Sequence, residues 1–356
     1  LIVTEDPELP YDRPNLSKAY LSGEGKAEWL PLRSEEFYAD RDIEFEYGVT
    51  VEGLDVDAHR VELEGGSTLS YDQALIATGG QALRPPIDGL ELDNVHLLRT
   101  QDDANDIIDD LDDADSAVVV GSSFIGMEVA ASLRHRDLDV TVASLESVPF
   151  ENVLGAEVGE YFHQLHAENG VDFELDNGAS EFIGDVTEAN SLVLADDTRL
   201  EADVFVVGVG VRPATSFLAD SDLELDDQGG VVVDDTLRAA EDVYAAGDIA
   251  TFPHPETGDL TRIEHWRLAE QHGRRAARAM TGDNLEFDAL PFFWTRQFER
   301  TFKYIGHATD WHSVEIDGDV DDGDFLAVYR NKQGRPLAWA GTRGAELCAI
   351  QADQRR

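Results

Sequence analysis

Ala117-Val118-Val119-Val120-Gly121-Ser122-Ser123-Phe124-Ile125-Gly126-Met127-Glu128 decides how this chain of 356 residues is read. An apolar run stops on a glycine, and a helical pattern takes over at 127–133. A strand that turns sharply into a helix points free backbone N–H groups and the positive end of the helix dipole at one spot. That spot suits a pyrophosphate, so the stretch is expected to open a dinucleotide-binding βαβ unit. Ser123 stands where the middle glycine of G-x-G-x-x-G normally lets backbone approach phosphate closely. The P-loop pattern fails, because Met127-Glu128 follow Gly126 where Lys and Ser/Thr are required.

The flanking segments follow one plan twice. In the first copy, strands at 46–51 and 59–63 lead through Ser70-Tyr71-Asp72 to a buried strand, 74–79, that ends Ala77-Thr78-Gly79, then Arg84-Pro85. In the second, strands at 173–175 and 191–195 lead through Glu201-Ala202-Asp203 to Val204-Phe205-Val206-Val207-Gly208-Val209, then Arg212-Pro213. Each is a β-meander feeding a parallel strand. Gly121 precedes Val204 by 83 residues, and the same offset ahead of Ala74 falls near position −9. Leu1-Ile2-Val3-Thr4 already reads as a buried strand, so the first strand, turn and helix of the N-terminal unit are expected to be missing from this sequence. Helices are expected at 157–168, closed by Asn169-Gly170, and at 266–280, closed by Thr281-Gly282. From about Asn284 the pattern shifts to aromatic-rich strands at 292–294, 304–307 and 325–329. The fold expected is α/β, with two Rossmann-like, three-layer domains and a C-terminal α+β domain. The first domain is discontinuous, 1–105 with 235–285; the second is 106–234; the third is 286–356.

Charge bounds the partners. Lys and Arg number 27 against 74 Asp and Glu, a formal net charge of −47, and lysine occurs only at Lys18, Lys26, Lys303 and Lys332. The carboxylates are spread over every surface segment, which describes a protein kept soluble in molar salt, as in a halophile's cytoplasm. Such a surface repels nucleic acid. No run of about 18 apolar residues occurs, so a soluble, cytoplasmic protein without a membrane partner is expected. The single cysteine, Cys348, excludes an internal disulfide and a C-x-x-C redox pair. His163 and His166 share helical spacing, but no third ligand accompanies them and no metal is expected.

Val243-Tyr244-Ala245-Ala246-Gly247-Asp248-Ile249 is the most specific short motif. A buried strand ending in Gly-Asp before a helix places one carboxylate on a ribityl hydroxyl while neighbouring N–H groups reach phosphates. Near the N-terminus, Glu5-Asp6-Pro7 follows the first strand, where an acid hydrogen-bonds the adenosine ribose. Arg13 and Lys18 stand out next to it, because cations are scarce in this chain.

Pro10-Tyr11-Asp12-Arg13-Pro14-Asn15-Leu16-Ser17-Lys18, Ala77-Thr78-Gly79, Leu98-Arg99-Thr100, Gly121 to Glu128, Ala246-Gly247-Asp248, Glu264-His265-Trp266 and Pro291-Phe292-Phe293-Trp294 together resemble the FAD-dependent, NAD(P)H-oxidising ferredoxin reductase family. That group includes rubredoxin and putidaredoxin reductases and apoptosis-inducing factor. The stretches 123–130 and 291–295 are most similar to its apoptosis-inducing-factor-like branch, which often carries a Rieske domain. The likeness covers essentially the whole chain and implies FAD and NAD(P)H as cofactors. It implies a catalytic ion pair, Lys18 with Glu128, beside the reactive edge of the flavin. Asp248 would hold the ribityl chain, Glu264-His265-Trp266 would aim a helix N-terminus at the flavin C2 carbonyl, and Trp294 would wall the ring. Glu5, Arg13, Ala77, Thr78, Gly79, Gly121, Ser123, Phe124, Ile125, Gly126, Ser144, Glu146, Gly208, Val209 and Gly247 complete the expected cofactor-binding set.

In a nicotinamide unit an acid ends the second strand, about 20 residues beyond the glycine turn. Here Ser144 ends it and Glu146 comes two residues late. No arginine follows closely to meet a 2′-phosphate, so NADH is expected over NADPH. Without a dithiol the chain cannot pass flavin electrons to a disulfide, and the implied acceptor is a one-electron ferredoxin or Rieske-type iron–sulfur protein. Residues 286–356 hold nine Lys/Arg against twelve Asp/Glu, the least repulsive face for an acidic partner, with Arg296, Arg300 and Lys303 expected at the dock. Three rivals stay open: an NADH oxidase using dioxygen, a non-catalytic redox-sensing NADH/FAD-binding protein, and a chain inert without its first glycine turn. A monomer or homodimer is expected.

Overall fold

A computed structural model of the chain describes residues 1–255, 257–283 and 285–354; the expected change of pattern at Asn284 lies outside the described residues. Contacts divide the chain into two units. Leu1–Asp12, Leu30–Gln81 and Val211–Ala289 form the first, and Arg13–Trp29, Ala82–Gly210 and the chain from Leu290 onward form the second.

In the second unit Ser116–Val120 is the central strand of a five-stranded, all-parallel sheet. The order is Val171–Glu174, Asp139–Ala143, Ser116–Val120, Val204–Val207, Val95–Leu97. A strand paired on both edges and covered on both faces requires an unbroken β-branched run, and Val118, Val119 and Val120 are all buried. The helix that follows, Phe124–His135, is buried continuously from Gly126 to Leu133. That all-round burial leaves no amphipathic period to mark its ends, which is why the sequence pattern caught only its middle. The helix Ala156–Glu168 closes on Gly170, whose φ of +81° only glycine adopts freely. Sequence placed 173–175 in a meander; it belongs instead to Val171–Glu174, the outer parallel strand. The meander is Ala179–Gly184, Ala189–Leu194 and Arg199–Glu201. Buried Asn94 ties it to the sheet, donating to Ala189 O at 2.8 Å and Asp203 O at 2.6 Å and accepting from Ala189 N at 2.7 Å.

The second unit also carries a five-stranded antiparallel sheet, ordered Phe292–Gln297, Arg300–Gly306, Pro336–Gly341, Asp324–Arg330, Ser313–Asp319. A helix, Gly344–Gln354, seats Leu347 on it. Two of those strands and the helix escaped the sequence reading.

The first unit runs through the same order of elements. Ile2–Thr4 pairs parallel with Phe45–Tyr47, a meander of Val51–Asp55, Arg60–Leu63 and Thr68–Ser70 follows, and Ala74–Ile76 then pairs parallel with Val243–Ala245. The expected strand 46–51 is therefore two strands, broken at Gly48, φ +64°. In the second unit the counterparts of Ile2–Thr4 and Ala74–Ile76 both pair with Ser116–Val120. No described strand of the first unit takes that central place. Two expectations of burial fail there. Leu1 is 61% and Ile2 39% exposed, and the strand expected over 74–79 ends at Ile76 with Leu75 38% exposed. A strand with one unpaired edge has no neighbouring side chains to cover that flank. The unit's core gathers Val243, Tyr244, Ile249, Phe252, Leu268 and Ala276, the last two from the helix Trp266–Met280. Among the described residues no helix is long and apolar enough to cross a membrane.

Candidate functional site

The mid-chain turn is forced by two glycines. Gly121 has φ +108°, and a Cβ there would lie 2.5 Å from Gly208 O. A Cβ on Gly126 would lie 2.0 Å from Gly121 O. The turn thus closes upon itself and draws the N-terminus of the helix Phe124–His135 against the ends of two strands. Ser123 is the helix N-cap residue, yet its side chain caps nothing. The first-turn N–H groups are donors of the kind an anion takes. Ile125 and Val209 are exposed beside them, and Phe124 packs edge-on against Phe150 and Phe293.

Ser144 and Glu146 are fastened to this turn by a residue that sequence reasoning missed. Buried Ser122 places its hydroxyl 2.7 Å from Ser144 Oγ and 2.7 Å from Glu146 Oε2. Glu146 Oε1 accepts from Asn152 N at 3.1 Å and Asn152 Nδ2 at 2.8 Å.

Four residues further along the same helix is Glu128, only 6% exposed. Its Oε2 accepts from Lys18 Nζ at 2.5 Å and Ser17 Oγ at 2.6 Å, and its Oε1 from Thr295 Oγ1 at 2.8 Å. A buried carboxylate is tolerable only when both oxygens are served in this way. Lys18 lies in the single wide helical turn Leu16–Tyr20, with φ −121° and ψ −113°, and also donates to Pro14 O at 3.0 Å. One turn on, Ser132 Oγ donates to Ser17 O at 2.7 Å, so the helix grips the Lys18 segment at i and i+4. Arg13 donates to Arg99 O at 2.8 Å. Trp294 is exposed on the strand Phe292–Gln297, while its neighbours Thr295 and Gln297 face inward and are buried.

The first unit assembles the other candidates. Ala77 and Thr78 are exposed just beyond Ala74–Ile76, with Thr78 Oγ1 donating to Ala214 O at 2.9 Å and Gly79 at φ +65°. Gly247, φ +83°, donates its N–H to His272 Nδ1 at 3.3 Å, and a Cβ there would meet Ala269 Cβ at 3.2 Å. The helix Trp266–Met280 is therefore seated directly on the Gly247–Asp248 turn. His265 caps that helix by accepting from Arg267 N at 3.2 Å, and Arg262 joins Asp248 O at 3.2 Å to Glu264 Oε1 at 2.5 Å. Trp266 is exposed at the helix start. Glu5 is exposed just past Ile2–Thr4, and its neighbour Asp6 accepts from Tyr11 Oη at 2.8 Å. Buried His272 lies edge-on to Phe252 and Phe287, and burial pushes its imidazole down to about 4. It was not singled out in the sequence.

His163 and His166 do not converge on a metal site. His166 is buried with its ring nitrogens at Phe162 O and Met127 O, and burial pushes it down to about 4. Among the described residues no cluster of ligating side chains could hold a metal ion.

Residues 1–273 match the pyridine nucleotide-disulphide oxidoreductase family. The chain belongs to that family. Human apoptosis-inducing factor 3 is 35% identical over 352 residues, which is 98% of this chain and 56% of that protein, so the chain spans about half the length of this relative. Rhodocoxin reductase of Rhodococcus erythropolis is 34% identical over 325 residues, 91% of this chain and 76% of its own. Among solved structures, the covalent putidaredoxin reductase–putidaredoxin complex matches with a TM-score of 0.93 at 29% identity, covering 99% of this chain and 85% of that one. The fold is thus α/β with Rossmann-like domains and a β-rich C-terminal domain. The chain's lone cysteine, exposed Cys348, leaves it without a dithiol of its own.

Proposed function

We propose that the chain is an FAD-containing, NAD(P)H-dependent reductase that delivers electrons singly to a ferredoxin or Rieske-type iron–sulfur protein. The observation that carries this reading is Glu128. Its helix starts at a dinucleotide-type glycine turn, and its carboxylate holds one of only four lysines at 2.5 Å. Relatives named as reductases, and the fold shared with a reductase joined to putidaredoxin, support it.

The donor set fits both cofactors. A turn that a Cβ on Gly121 or Gly126 would fill, with an uncapped helix N-terminus, suits the NAD(P)H pyrophosphate. Phe124, Ile125, Gly208 and Val209 border it, and Ser123 and Ser144 add hydroxyls. Glu146, fixed by Ser122 and Asn152, offers a carboxylate to a ribose hydroxyl and repels a 2′-phosphate, so NADH is the preferred reductant. In the first unit, Asp248 suits the ribityl chain, Glu5 the adenosine ribose, and the His265-capped helix the ring's C2 carbonyl. Ala77, Thr78, Gly79, Gly247 and Glu264 complete the first unit's set, and Arg13 and Trp294 are further candidates carried by the second unit.

When bound, FAD takes two electrons together from NAD(P)H and releases them one at a time. The chain's part is electrostatic. Lys18 presents an ammonium whose position is fixed by Glu128 and Pro14 O, which suits negative charge arriving on the ring. In domain terms, 1–105 with 235–285 bind FAD, 106–234 bind the nicotinamide nucleotide, and 286–356 receive the partner through Arg296, Arg300 and Lys303. The acidic surface suits a salt-rich cytoplasm.

The test is an anaerobic titration of the purified protein with NADH, followed by an oxidised ferredoxin. Flavin absorbance should bleach with NADH and return as the ferredoxin is reduced. Flavin that never bleaches, or rapid NADH turnover in air without a carrier, would overturn the reading in favour of a sensor or an oxidase.

A further inference from the structure

Glu128 is held from two separate stretches of the chain. Ser17 and Lys18 serve Oε2, whereas Oε1 is served by Thr295, 167 residues away in sequence, from the antiparallel sheet. The directions of these bonds are determined. A carboxylate only accepts, so the Thr295 hydroxyl spends its single proton on Glu128 and turns its lone pairs outward, where Gln297 Nε2 donates at 3.3 Å. The strand's period of two sends Thr295 and Gln297 inward, at 2% and 3% exposure, and Trp294 and Arg296 outward. Thr295 is β-branched, which restricts its χ1, and it is registered opposite Phe302.

We infer that Thr295 is a positioning residue for the flavin chemistry of this chain: its hydroxyl pins Oε1 of Glu128, and through Oε2 that pin fixes the Lys18 ammonium. The inference rests on the proposal that Lys18 meets the flavin. Without the hydroxyl, Oε1 is left buried and unserved. The carboxylate then rotates about its own axis, carries Lys18 with it, and keeps more of its negative charge undispersed. Reduced, anionic flavin is disfavoured at neutral pH.

The flavin-loaded protein and its variants Thr295→Val, Thr295→Ala, Thr295→Ser and Lys18→Met are compared by spectroelectrochemistry at pH 7. At pH 7 the Val and Ala variants should show a reduced-to-oxidised flavin ratio about tenfold lower at fixed solution potential, or about 30 mV for a two-electron couple. Thr295→Ser should restore the parent ratio. The Ala variant supplies the answer if the Val methyl prevents folding. Unchanged ratios in both, with Lys18→Met clearly shifted, overturn the role of Thr295 alone. An equal shift in Ser and Val overturns it too, because the hydroxyl is then not the cause. A Lys18→Met protein with the parent potential overturns the placement of Lys18 at the flavin, and with it this inference.

Discussion

Gly126→Ala sets two physical effects of opposite sign against each other. Gly126 lies in the first turn of the helix Phe124–His135 and does not occupy the left-handed region. Propensity alone says that alanine there gains about 1 kcal/mol. The geometry says otherwise, since the added Cβ would stand 2.0 Å from Gly121 O and 2.9 Å from Gly121 C. A carbon–oxygen approach is comfortable at roughly 3.3 Å or more, so the turn must open by about 1 Å. Nothing there yields easily. Gly121 N is bonded to Ala143 O at 2.8 Å, and Gly121 is itself pressed against Gly208 O. Overpacking a methyl costs roughly 1–3 kcal/mol, so after the propensity gain the net expectation is a loss of about 0–2 kcal/mol in urea unfolding. The larger effect is on the nucleotide, because a 1 Å displacement of positioning groups typically costs on the order of a hundredfold. Calorimetric titration should show NADH binding weakened by about 30- to 100-fold. Gly273→Ala is the matched control. It lies inside the helix Trp266–Met280 with nothing within 4 Å of its added Cβ, and should gain about 0.5–1 kcal/mol with NADH affinity unchanged. A Gly126→Ala protein that binds NADH as tightly as its parent refutes the reasoning, whatever its stability.

Glu146→Gln should move the ratio of kcat/KM for NADPH over NADH upward by about tenfold; steady-state kinetics that show no preference in the parent protein sink that idea. Stability should also depend on pH through His166 and His272, both held near 4 by burial. An unfolded chain takes up those protons near pH 6.5, so between about 6.5 and 4 it binds more protons than the native state, and stability falls as pH is lowered. The loss approaches about 3 kcal/mol per histidine and then levels off below both values. Urea midpoints measured across that window should fall less steeply in His272→Gln, and an identical slope would remove His272 from the account. Charge reversal of Arg296, Arg300 and Lys303 together should raise KM for an acidic ferredoxin several-fold at low salt. Near 1 M salt, where the Debye length is about 3 Å, the effect should fade, while flavin reduction by NADH stays normal. A deficit independent of salt would argue against a charge-guided dock.

The parts of the fold that sequence made legible are those where backbone chemistry leaves no choice. A doubly buried parallel strand must be a β-branched run, and a helix that ends on a left-handed glycine carries that glycine in its sequence. Hence Ser116–Val120, the end of Ala156–Glu168 and both ends of Trp266–Met280 could be read. Ser313–Asp319 could not, because it is a largely exposed edge strand whose acidic residues look like loop. The hydroxyl partners were illegible for a different reason. Ser17, Ser122 and Thr295 each neighbour a residue that was singled out, yet Ser17 and Thr295 meet Glu128 across 111 and 167 residues. Pairings at that range are set by tertiary packing. Periodicity marks which face of a strand is buried but not what waits there.

A family named for disulphide chemistry here contains a chain whose single thiol is exposed on the helix Gly344–Gln354, with Lys303 Nζ 3.4 Å from its sulfur. The proposed acceptor is accordingly an iron–sulfur protein and not a disulfide. The strand Phe292–Gln297 bears on that proposal through both of its faces. Its inward residues, Thr295 and Gln297, complete the shell of Glu128, while its outward residues, Trp294 and Arg296, lie exposed beside Lys303, the cross-strand partner of Trp294. Successive residues of a strand are only about 3.4 Å apart along its axis. The group that fixes the Lys18–Glu128 pair and the face proposed to receive an iron–sulfur protein are therefore the two sides of one strand. Any register slip there would disturb both at once, since a shift of one residue exchanges the two faces.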